Sequence, residues 1–228
     1  MKKYLTVIMI LFFASSAMAQ AVGGSFMLGY PQGDFRKNVD QLGFGFQIQG
    51  MLWAPTHEKP FSIGLDGGYL IYGHTSERRE WTGFPGVYLN LTRTNSMAHL
   101  HLVLQVSPFF GTVRPYIEGL FGGSYIFTTS EVKNENGNQQ IASSTNYDDF
   151  TWNYGGGGGI LFKLTDNLDR ISALYLDLKA RYLFGTEASY LTEQSITVNN
   201  QGQTIYNAKK STTDFFTFHI GVVAYFNL

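Results

Sequence analysis

The chain of 228 residues contains no cysteine, and few of its residues are charged. The absence of cysteine excludes a disulfide framework, a thiolate metal site and a lipid attached to an amino-terminal cysteine. Charged residues make up 14% of the sequence, whereas ordinary soluble domains contain roughly 25%. The formal net charge is −1, so the total charge gives no indication of nucleic acid as a partner.

The sequence also lacks an apolar run long enough for a membrane-spanning helix, which needs about 20 residues. A shorter apolar run, residues 5–13, follows two lysines and precedes Ala17-Met18-Ala19, a small–x–small cleavage site. This pattern predicts a signal peptide over residues 1–19, with cleavage between Ala19 and Gln20. The mature chain, residues 20–228, is then exported and is expected to form a single domain.

Alternation of apolar and polar residues is the strongest pattern that the chain does contain. Between Leu174 and Phe184, one face carries leucine, alanine and aromatic residues, and the other carries Asp177, Lys179 and Arg181. A period of two predicts a β-strand with one face in an apolar medium and the other among polar groups. The pattern recurs about eight times along the mature chain.

Eight strands are predicted, and most reach the roughly 9–11 residues with which a tilted strand crosses the hydrocarbon layer. Their approximate bounds are 22–30, 42–52, 61–72, 98–109, 115–128, 150–164, 171–184 and 214–227. The connections alternate in length: 53–60, 110–114 and 165–170 are short, 31–41 is intermediate, and 73–97, 129–149 and 185–213 are long and polar. Short periplasmic turns and long extracellular loops are typical of outer-membrane barrels.

The outward face has to be assigned separately, because a soluble barrel of the lipocalin kind also alternates, with its apolar face inside. The apolar face carries more leucine and phenylalanine than a narrow eight-stranded interior accommodates. The polar face is rich in glycine, as in Gly155, Gly157 and Gly159, and the charge content is too low for a soluble exterior. We therefore predict an all-β fold, an eight-stranded antiparallel up-and-down transmembrane β-barrel. A hairpin through 53–60 is expected to pair Gln47 with Asp66.

The chain resembles the small eight-stranded outer-membrane β-barrels of Gram-negative bacteria, the OmpA/OmpX/OmpW-like group. The resemblance rests on Ala17-Met18-Ala19-Gln20, on the eight amphipathic strands and on the last strand, with His219-x-Gly221-x-x-Ala224-x-Phe226. Ala224 stands where an aromatic residue is usual, and the last residue is Leu228 rather than phenylalanine. The resemblance implies an integral position in the bacterial outer membrane, contact with its lipid and lipopolysaccharide, and recognition of the last strand by the barrel-assembly machinery.

Eight polar residues are predicted to face the lumen as one network. Charges inside a barrel are partly desolvated, so residues of opposite sign are expected to pair there. The network then fills the narrow interior; the alternative is a gated or water-filled path for small solutes. The predicted members are Gln47, Asp66, His101, Glu118, Lys163, Asp177, Lys179 and Arg181.

No catalytic, metal or cofactor site is predicted. His99 and His101 lie two residues apart and His219 lies on another strand, but no carboxylate at a matching spacing accompanies them. A lipid-modifying enzyme needs a nucleophile and a base, for which His74 and Ser76 are the nearest candidates; both are read as solvated loop residues. Gly155 to Gly159 is a strand interior rather than a nucleotide-binding loop.

The long loops carry the functional hypothesis. Residues 195–206 and 131–141 each alternate around an Asn/Gly turn, which predicts hairpins that project beyond the membrane and expose edges to partner strands. Lys209-Lys210 and Arg78-Arg79 are read either as contacts to lipid-linked phosphates or as solvated charges. The predicted role is structural or surface-interacting, with a protein partner at the extracellular loops. The alternatives are a narrow porin-like transport barrel for small or apolar solutes and an accessory subunit of a secretion or envelope-assembly complex.

Overall fold

Eight long antiparallel strands close a barrel in the computed structural model, which describes residues 20–80, 88–134, 140–168, 170–192, 195–198 and 204–226. The strands of the barrel are β1 (Ala21–Pro31), β2 (Gly43–Met51), β3 (Phe61–Glu80), β4 (Tyr88–Val106), β5 (Val113–Asn134), β6 (Gln140–Leu168), β7 (Ile171–Gly185) and β12 (Phe215–Phe226). Around the ring the order is β1, β12, β7, β6, β5, β4, β3 and β2, so that every strand has two neighbours.

Smaller elements lie at the end of the barrel opposite the short turns. A helix, α1 (Gly33–Asn38), follows β1, and two short hairpins lie between β7 and β12. One hairpin pairs β8 (Glu187–Tyr190) with β11 (Lys209–Thr212), and the other pairs β9 (Ile196–Val198) with β10 (Thr204–Tyr206). None of the helices among the described residues has the length and hydropathy to cross a membrane. The predicted signal peptide, including Ala19, lies outside the described residues, and Gln20 directly precedes β1.

The alternating faces lie as the sequence predicts. Phe26, in the middle of β1, is 77% exposed on the outside of the barrel, and apolar side chains continue this surface on neighbouring strands. The opposite face of each strand points into the barrel and is buried. The predicted all-β fold and the closed antiparallel ring are thereby confirmed. Large exposed apolar residues of the outer surface include Phe44, Phe46, Ile48, Leu100, Leu102, Leu104, Ile117, Phe218, Ile220 and Val222.

Four of the strands are much longer than the sequence analysis predicts. β3, β4, β5 and β6 have 20, 19, 22 and 29 residues, about twice what a tilted strand needs to cross the hydrocarbon layer. The segments predicted as long loops, 73–97 and 129–149, are therefore largely strand. The prediction was wrong because both faces of these segments are polar, so no apolar alternation marks them as strands.

The register of the β2–β3 hairpin also differs from the prediction. Gln47 lies opposite Gly68, and Asp66 lies opposite Gln49, two residues further along β2. A shift of two residues keeps every side chain on its own face, because the side-chain period of a strand is two. Gln47 and Asp66 therefore face the lumen in the observed register as they do in the predicted one.

Two apolar clusters occupy the ends of the barrel interior, and polar side chains lie between them. The inner cluster, near the short turns, is built around Tyr116, Tyr175, Val223 and Tyr225. The outer cluster, at the opposite mouth, contains Phe35 of α1 together with Met27, Leu70, Met97, Tyr190 and Phe215. Strand β7 shows the layering directly: Tyr175 belongs to the inner cluster, and Asp177, Lys179 and Arg181 follow it toward the mouth.

Candidate functional site

Arg181 is the centre of the polar layer between the two clusters, which we call the central belt. Its Nε and Nη2 donate to the two carboxylate oxygens of Glu118, at 2.5 and 3.2 Å. Nη1 donates to Gln47 Oε1 at 2.8 Å and also to Asp66. Because the side chain is fully buried, these charge-assisted bonds replace the water that the guanidinium loses.

Lys179 and Asp177 form the second half of the central belt. They lie two and four residues before Arg181 on β7, closer to the short turns. The Lys179 ammonium donates to Gln49 Oε1 at 2.5 Å and lies 3.3 Å from the Asp177 carboxylate. Tyr116 donates its hydroxyl proton to Asp177 at 2.7 Å. The two opposite charges are thus paired and are also hydrogen-bonded to uncharged groups, which is the condition under which buried ions are tolerated.

A pair of histidines joins the belt through Asp66. The rings of His99 and His101 stack with their centroids 4.8 Å apart, and His101 Nδ1 lies 3.2 Å from Asp66 Oδ1. Potential ligand atoms of the three residues fall within 4.8 Å of one another, a grouping that can hold a metal ion. Asp66 is already paired with Arg181, however, and a dication beside a guanidinium is electrostatically disfavoured. The Arg181–Asp66 pair therefore disfavours a metal ion at this grouping.

The sequence analysis places Asp66 in the lumen, but it does not predict that this carboxylate lies beside the two histidines. Asp66 lies on β3, and the β3–β4 register places it directly opposite His101. Spacing along one strand carries no information about this neighbour. Residue 66 lies among the alternating polar positions of β3, and this position together with a correct β3–β4 register would have predicted the contact with His101.

Seven of the eight predicted lumen residues lie buried in the interior, and Lys163 does not join them. Its ammonium lies 3.4 Å from Asp166 near the short turn between β6 and β7, with 30% of the side chain exposed. Lys163 lies on the lumen-facing side of β6, but at the rim of the barrel. From there its long side chain reaches water, so the ammonium stays solvated. The interior residues are Gln47, Asp66, His101, Glu118, Asp177, Lys179 and Arg181.

Glycines of β6 leave space for the large side chains of the central belt. Gly157 lies between Glu118 of β5 and Arg181 of β7 in the ladder, so the Arg181–Glu118 pair crosses above it. A Cβ on Gly157 would come within 2.9 Å of Arg181 Cγ, and one on Gly159 within 2.6 Å of the Tyr116 hydroxyl. The glycine run is therefore a strand interior, and it makes space for large polar side chains.

Packed side chains close the interior at both ends of the belt. At the mouth, Phe35 is completely buried, with ring contacts to Tyr190 at 4.7 Å and Phe215 at 5.2 Å between centroids. Between the belt and this outer cluster there is a cavity of about 20 Å³, room for about one water molecule. At the other end, Arg114 donates to the Tyr175 hydroxyl at 3.2 Å and lies over the Tyr225 ring. Packed side chains thus lie at both ends of the interior, above and below the central belt.

His74 and Ser76, the nearest candidates for a base and a nucleophile, lie on a strand rather than in a loop. Both lie on the extended part of β3 and contact threonines of β4: His74 Nδ1 lies 3.3 Å from Thr94 Oγ1, and Ser76 Oγ lies 3.4 Å from Thr92 Oγ1. These are cross-strand contacts of the kind that stabilise a sheet. The two residues thus have a structural role in the hairpin that the sequence analysis read as a loop.

The long strands continue outside the barrel as a sheet, which we call the projecting sheet. It consists of residues 73–80, 88–95, 128–134 and 140–149, in the order β3, β4, β5 and β6. Pairing of β6 with β7 ends at Asn153. β8 approaches β6 just above this point, where Ser189 N–H donates to Asp149 at 2.7 Å. In the described part of the chain, residues 140–147 have no strand partner on that side.

These features define a class of protein. A closed ring of eight antiparallel strands leaves no backbone edge unpaired in hydrocarbon, and apolar residues cover its outer surface. Buried ion pairs fill its interior. The chain is thus a small transmembrane β-barrel of the outer-membrane type, integral to that membrane through its strands.

Comparison with known proteins gives structural likeness only. No protein-family model matches the chain, and no curated protein matches its sequence. Among solved structures it is similar to Neisserial surface protein A, with 13% identity and a TM-score of 0.41 over 90% of this chain and 96% of that one. It is also similar to Ail, the attachment invasion locus protein of Yersinia pestis (10% identity, TM-score 0.37, 90% and 97% covered). A third is the N-terminal β-barrel domain of Pseudomonas aeruginosa OprF (15% identity, TM-score 0.34, 91% and 98% covered). The class assignment above rests on the barrel's own geometry.

Proposed function

We propose that this protein is a solute-tight outer-membrane barrel that presents the projecting sheet to a protein partner outside the cell. The role is structural and surface-interacting, without a catalytic step. The observation that carries the proposal is the combination of a packed interior with strands that continue far beyond the barrel. An interior built for passage needs space, and strands built only to span a membrane need about half this length.

The central belt supports the proposal that the barrel interior is closed to solutes. Opening a path past Arg181 requires breaking its bonds to Glu118, Asp66 and Gln47 together. Removing one partner of a buried ion pair costs about 3–5 kcal/mol, and the apolar clusters above and below the belt would have to open as well. The packed interior therefore disfavours the alternative of a narrow transport barrel.

The open edge of β6 supports the proposal that a protein partner binds the projecting sheet. An unpaired strand edge offers a row of backbone donors and acceptors to which an extended segment of another protein can add. Natural edges are commonly protected by charges or proline, but residues 141–147 (Ile-Ala-Ser-Ser-Thr-Asn-Tyr) contain neither. A partner that contributes one β-strand fits this edge, and an accessory role in an envelope or secretion complex is one form that such a partnership takes.

Membrane lipid, lipopolysaccharide and the assembly machinery are the remaining partners in the proposal. The apolar outer surface is suited to lipid, and β12 pairs along its whole length with both β1 and β7. A strand that closes the ring last is a suitable recognition element for assembly. Removal of residues 1–19 as a signal peptide before insertion completes the proposal.

Planar-bilayer recording tests whether the barrel is closed. Purified protein inserted into lipid bilayers is expected to give no resolved conductance steps over a range of voltages. An eight-stranded barrel engineered for an open lumen serves as the positive control for insertion. Reproducible steps from the unmodified protein would overturn the closed-barrel proposal.

Site-specific photocrosslinking in the native envelope tests the partner. A photoreactive residue at Ser144, on the open edge of β6, is expected to capture a protein that is not captured from Thr94 on the central strand β4. Equal products from both positions would contradict edge recognition.

A further inference from the structure

The first residue of the predicted mature chain is a glutamine, and it is docked at the end of the barrel that carries the short turns. Removal of residues 1–19 leaves Gln20 with a free amino group, directly before β1. Its backbone carbonyl accepts a hydrogen bond from Phe226 N–H at 2.8 Å, and its side-chain Oε1 accepts one from Ala54 N–H at 3.0 Å. Gln20 therefore contacts both β12 and the β2–β3 turn.

The strand that follows Gln20 fixes this position. Ala21 is buried in the inner cluster and lies opposite Met51 of β2 and Tyr225 of β12. Both ladders of β1 thus extend to the residue next to Gln20, and they set the direction in which its side chain reaches the turn. Because the backbone is already ordered there, the side-chain hydrogen bond costs little further conformational entropy.

A glutamine with a free amino group can react with its own side chain. The α-amino nitrogen attacks Cδ of the amide, the bond between Cδ and the amide nitrogen breaks, and that nitrogen leaves as ammonia with a proton from the amine. The product is a five-membered lactam, pyroglutamate, which is uncharged. The step needs no second reactant, and a free α-amino group is partly unprotonated near neutral pH, since it titrates at about pH 8.

The Ala54 N–H lies where this reaction needs a hydrogen-bond donor. Negative charge develops on Oε1 when the amine adds to Cδ, and a fixed backbone N–H within hydrogen-bond distance of that oxygen stabilises such charge. The bond from Ala54 to Gln20 Oε1 meets this condition. The same oxygen becomes the ring carbonyl of the product, so its acceptor role is kept after ring closure.

The surroundings of the β2–β3 turn favour an uncharged terminus. Arg114 is buried beside this turn, where its guanidinium donates to the carbonyl oxygen of Pro55. Its other acceptors, the Tyr175 hydroxyl and the Phe109 carbonyl, are also uncharged. An α-ammonium group at Gln20 would bring a second positive charge to the same turn, and like charges repel more strongly where water is partly excluded. Lactam formation removes this charge.

We propose that the amino terminus of the mature protein is a modification site, at which Gln20 closes to pyroglutamate. The ring carbonyl stays hydrogen-bonded to Ala54 N–H, so the modified residue joins the ends of β1 and β12 to the β2–β3 turn. The ring also leaves no free α-amino group for aminopeptidases. The inference rests on the proposed removal of residues 1–19, and it is independent of the closed interior and of a protein partner.

Peptide mass spectrometry of protein purified from native envelopes tests the modification. Trypsin digestion of the denatured protein releases residues 20–36, because Arg36 is the first basic residue after Gln20. The closed peptide is lighter than the open one by one ammonia. A synthetic 20–36 peptide with a free amino terminus, carried through the same steps, measures ring closure during handling. We expect the protein's peptide to be mostly closed and the synthetic peptide mostly open, and equal closed fractions would overturn the proposal.

The identity of the terminal residue separates this inference from the proposed function. A chain that begins with an open Gln20 would support removal of the signal peptide and overturn ring closure. A chain that begins at another residue would overturn both of these. In either case, planar-bilayer recording and photocrosslinking still decide whether the barrel is closed and whether it binds a partner.

Two substitutions separate the ring from the hydrogen bond that holds it. Gln20→Glu keeps a side-chain oxygen for Ala54 N–H but has no amide nitrogen to expel, so its terminus should stay open. Gln20→Ala has neither group. Amide hydrogen exchange at Ala54 is expected to be about tenfold faster in Gln20→Ala than in the parent protein, as loss of one hydrogen bond predicts.

The Phe226 amide is the internal control for the exchange experiment. Its acceptor is the backbone carbonyl of residue 20, which every variant retains, so its exchange rate should not change. Faster exchange at Ala54 alone would support the docking of the Gln20 side chain. Unchanged exchange at Ala54 in Gln20→Ala, or a closed terminus in Gln20→Glu to the same extent as in the parent protein, would contradict the proposal.

Discussion

Arg181 and Glu118 are joined across an intervening strand. The guanidinium donates to both oxygens of the carboxylate, at 2.5 and 3.2 Å, although β6 lies between β5 and β7. Gly157 is the residue of β6 that pairs with both of them in the ladder. The two side chains meet above a residue that has none, so the central ion pair depends on this glycine.

Gly157→Ala is therefore expected to destabilise the barrel. The added methyl group would meet Arg181 Cγ at 2.9 Å as well as the carbonyl oxygen of Ala180, and overpacking of this kind typically costs about 1–3 kcal/mol. Gly119→Ala is the matched control, since a Cβ there meets nothing within 4 Å. Urea unfolding in lipid vesicles measures both free energies of unfolding, and equal values would contradict the crowding at Gly157.

The charge of Arg181 is tested separately by Arg181→Met. This change leaves the buried carboxylates of Glu118 and Asp66 without their shared cation, and breaking a buried pair in this way costs about 3–5 kcal/mol. Lys163→Met removes an equal charge from the partly exposed rim, where an ion pair contributes at most about 1 kcal/mol. The same unfolding experiment compares the two variants. Similar losses would mean that Arg181 is not the centre of the belt.

The lipid-facing assignment predicts different costs for the same substitution at two exposed isoleucines. Ile220, in the middle of β12, is 49% exposed, and Ile141, on the projecting sheet, is 52% exposed. Arginine at the bilayer midplane costs about 2–4 kcal/mol, so Ile220→Arg should destabilise the protein by this amount. Ile141→Arg exchanges one solvated side chain for another and should change the free energy of unfolding by less than about 0.5 kcal/mol. Equal effects would place both residues in the same medium.

The sequence predicts the ring and its faces because lipid enforces them. Apolar residues such as Phe26 and Ile220 have to face outward, and Asp177 and Arg181 have to face inward, so a period of two identifies both sets. The ends of β3 to β6 were missed because most residues on both faces are polar there. Without an apolar face, alternation disappears, and only hydrogen bonding distinguishes strand from loop.

The contents of the interior were predictable, but the contacts within it were not. The alternation of polar and apolar positions identifies Glu118, Asp66 and Arg181 as lumen residues. Their pairing, however, depends on the registers between strands that are distant in the sequence. A single wrong register, Gln47 opposite Asp66, leaves the list of residues correct and the neighbours wrong. Phe35 shows the opposite case: one aromatic residue in a polar loop gives no periodic signal, yet it is completely buried in the mouth.

Phe35 is the single buried anchor of α1, and its removal should release the helix without opening the barrel. A helix of six residues is too short to be stable alone, and replacing a buried phenylalanine by alanine typically costs about 3–5 kcal/mol. In Phe35→Ala we expect trypsin to cleave rapidly after Arg36 and Lys37, sites that the docked helix protects. Phe44→Ala, on the lipid-facing surface, is the control and should leave the digestion pattern unchanged. Because the central belt lies below the outer cluster, Phe35→Ala should still show no conductance steps in planar bilayers. Conductance in this variant would show that α1, rather than the Arg181 belt, closes the barrel.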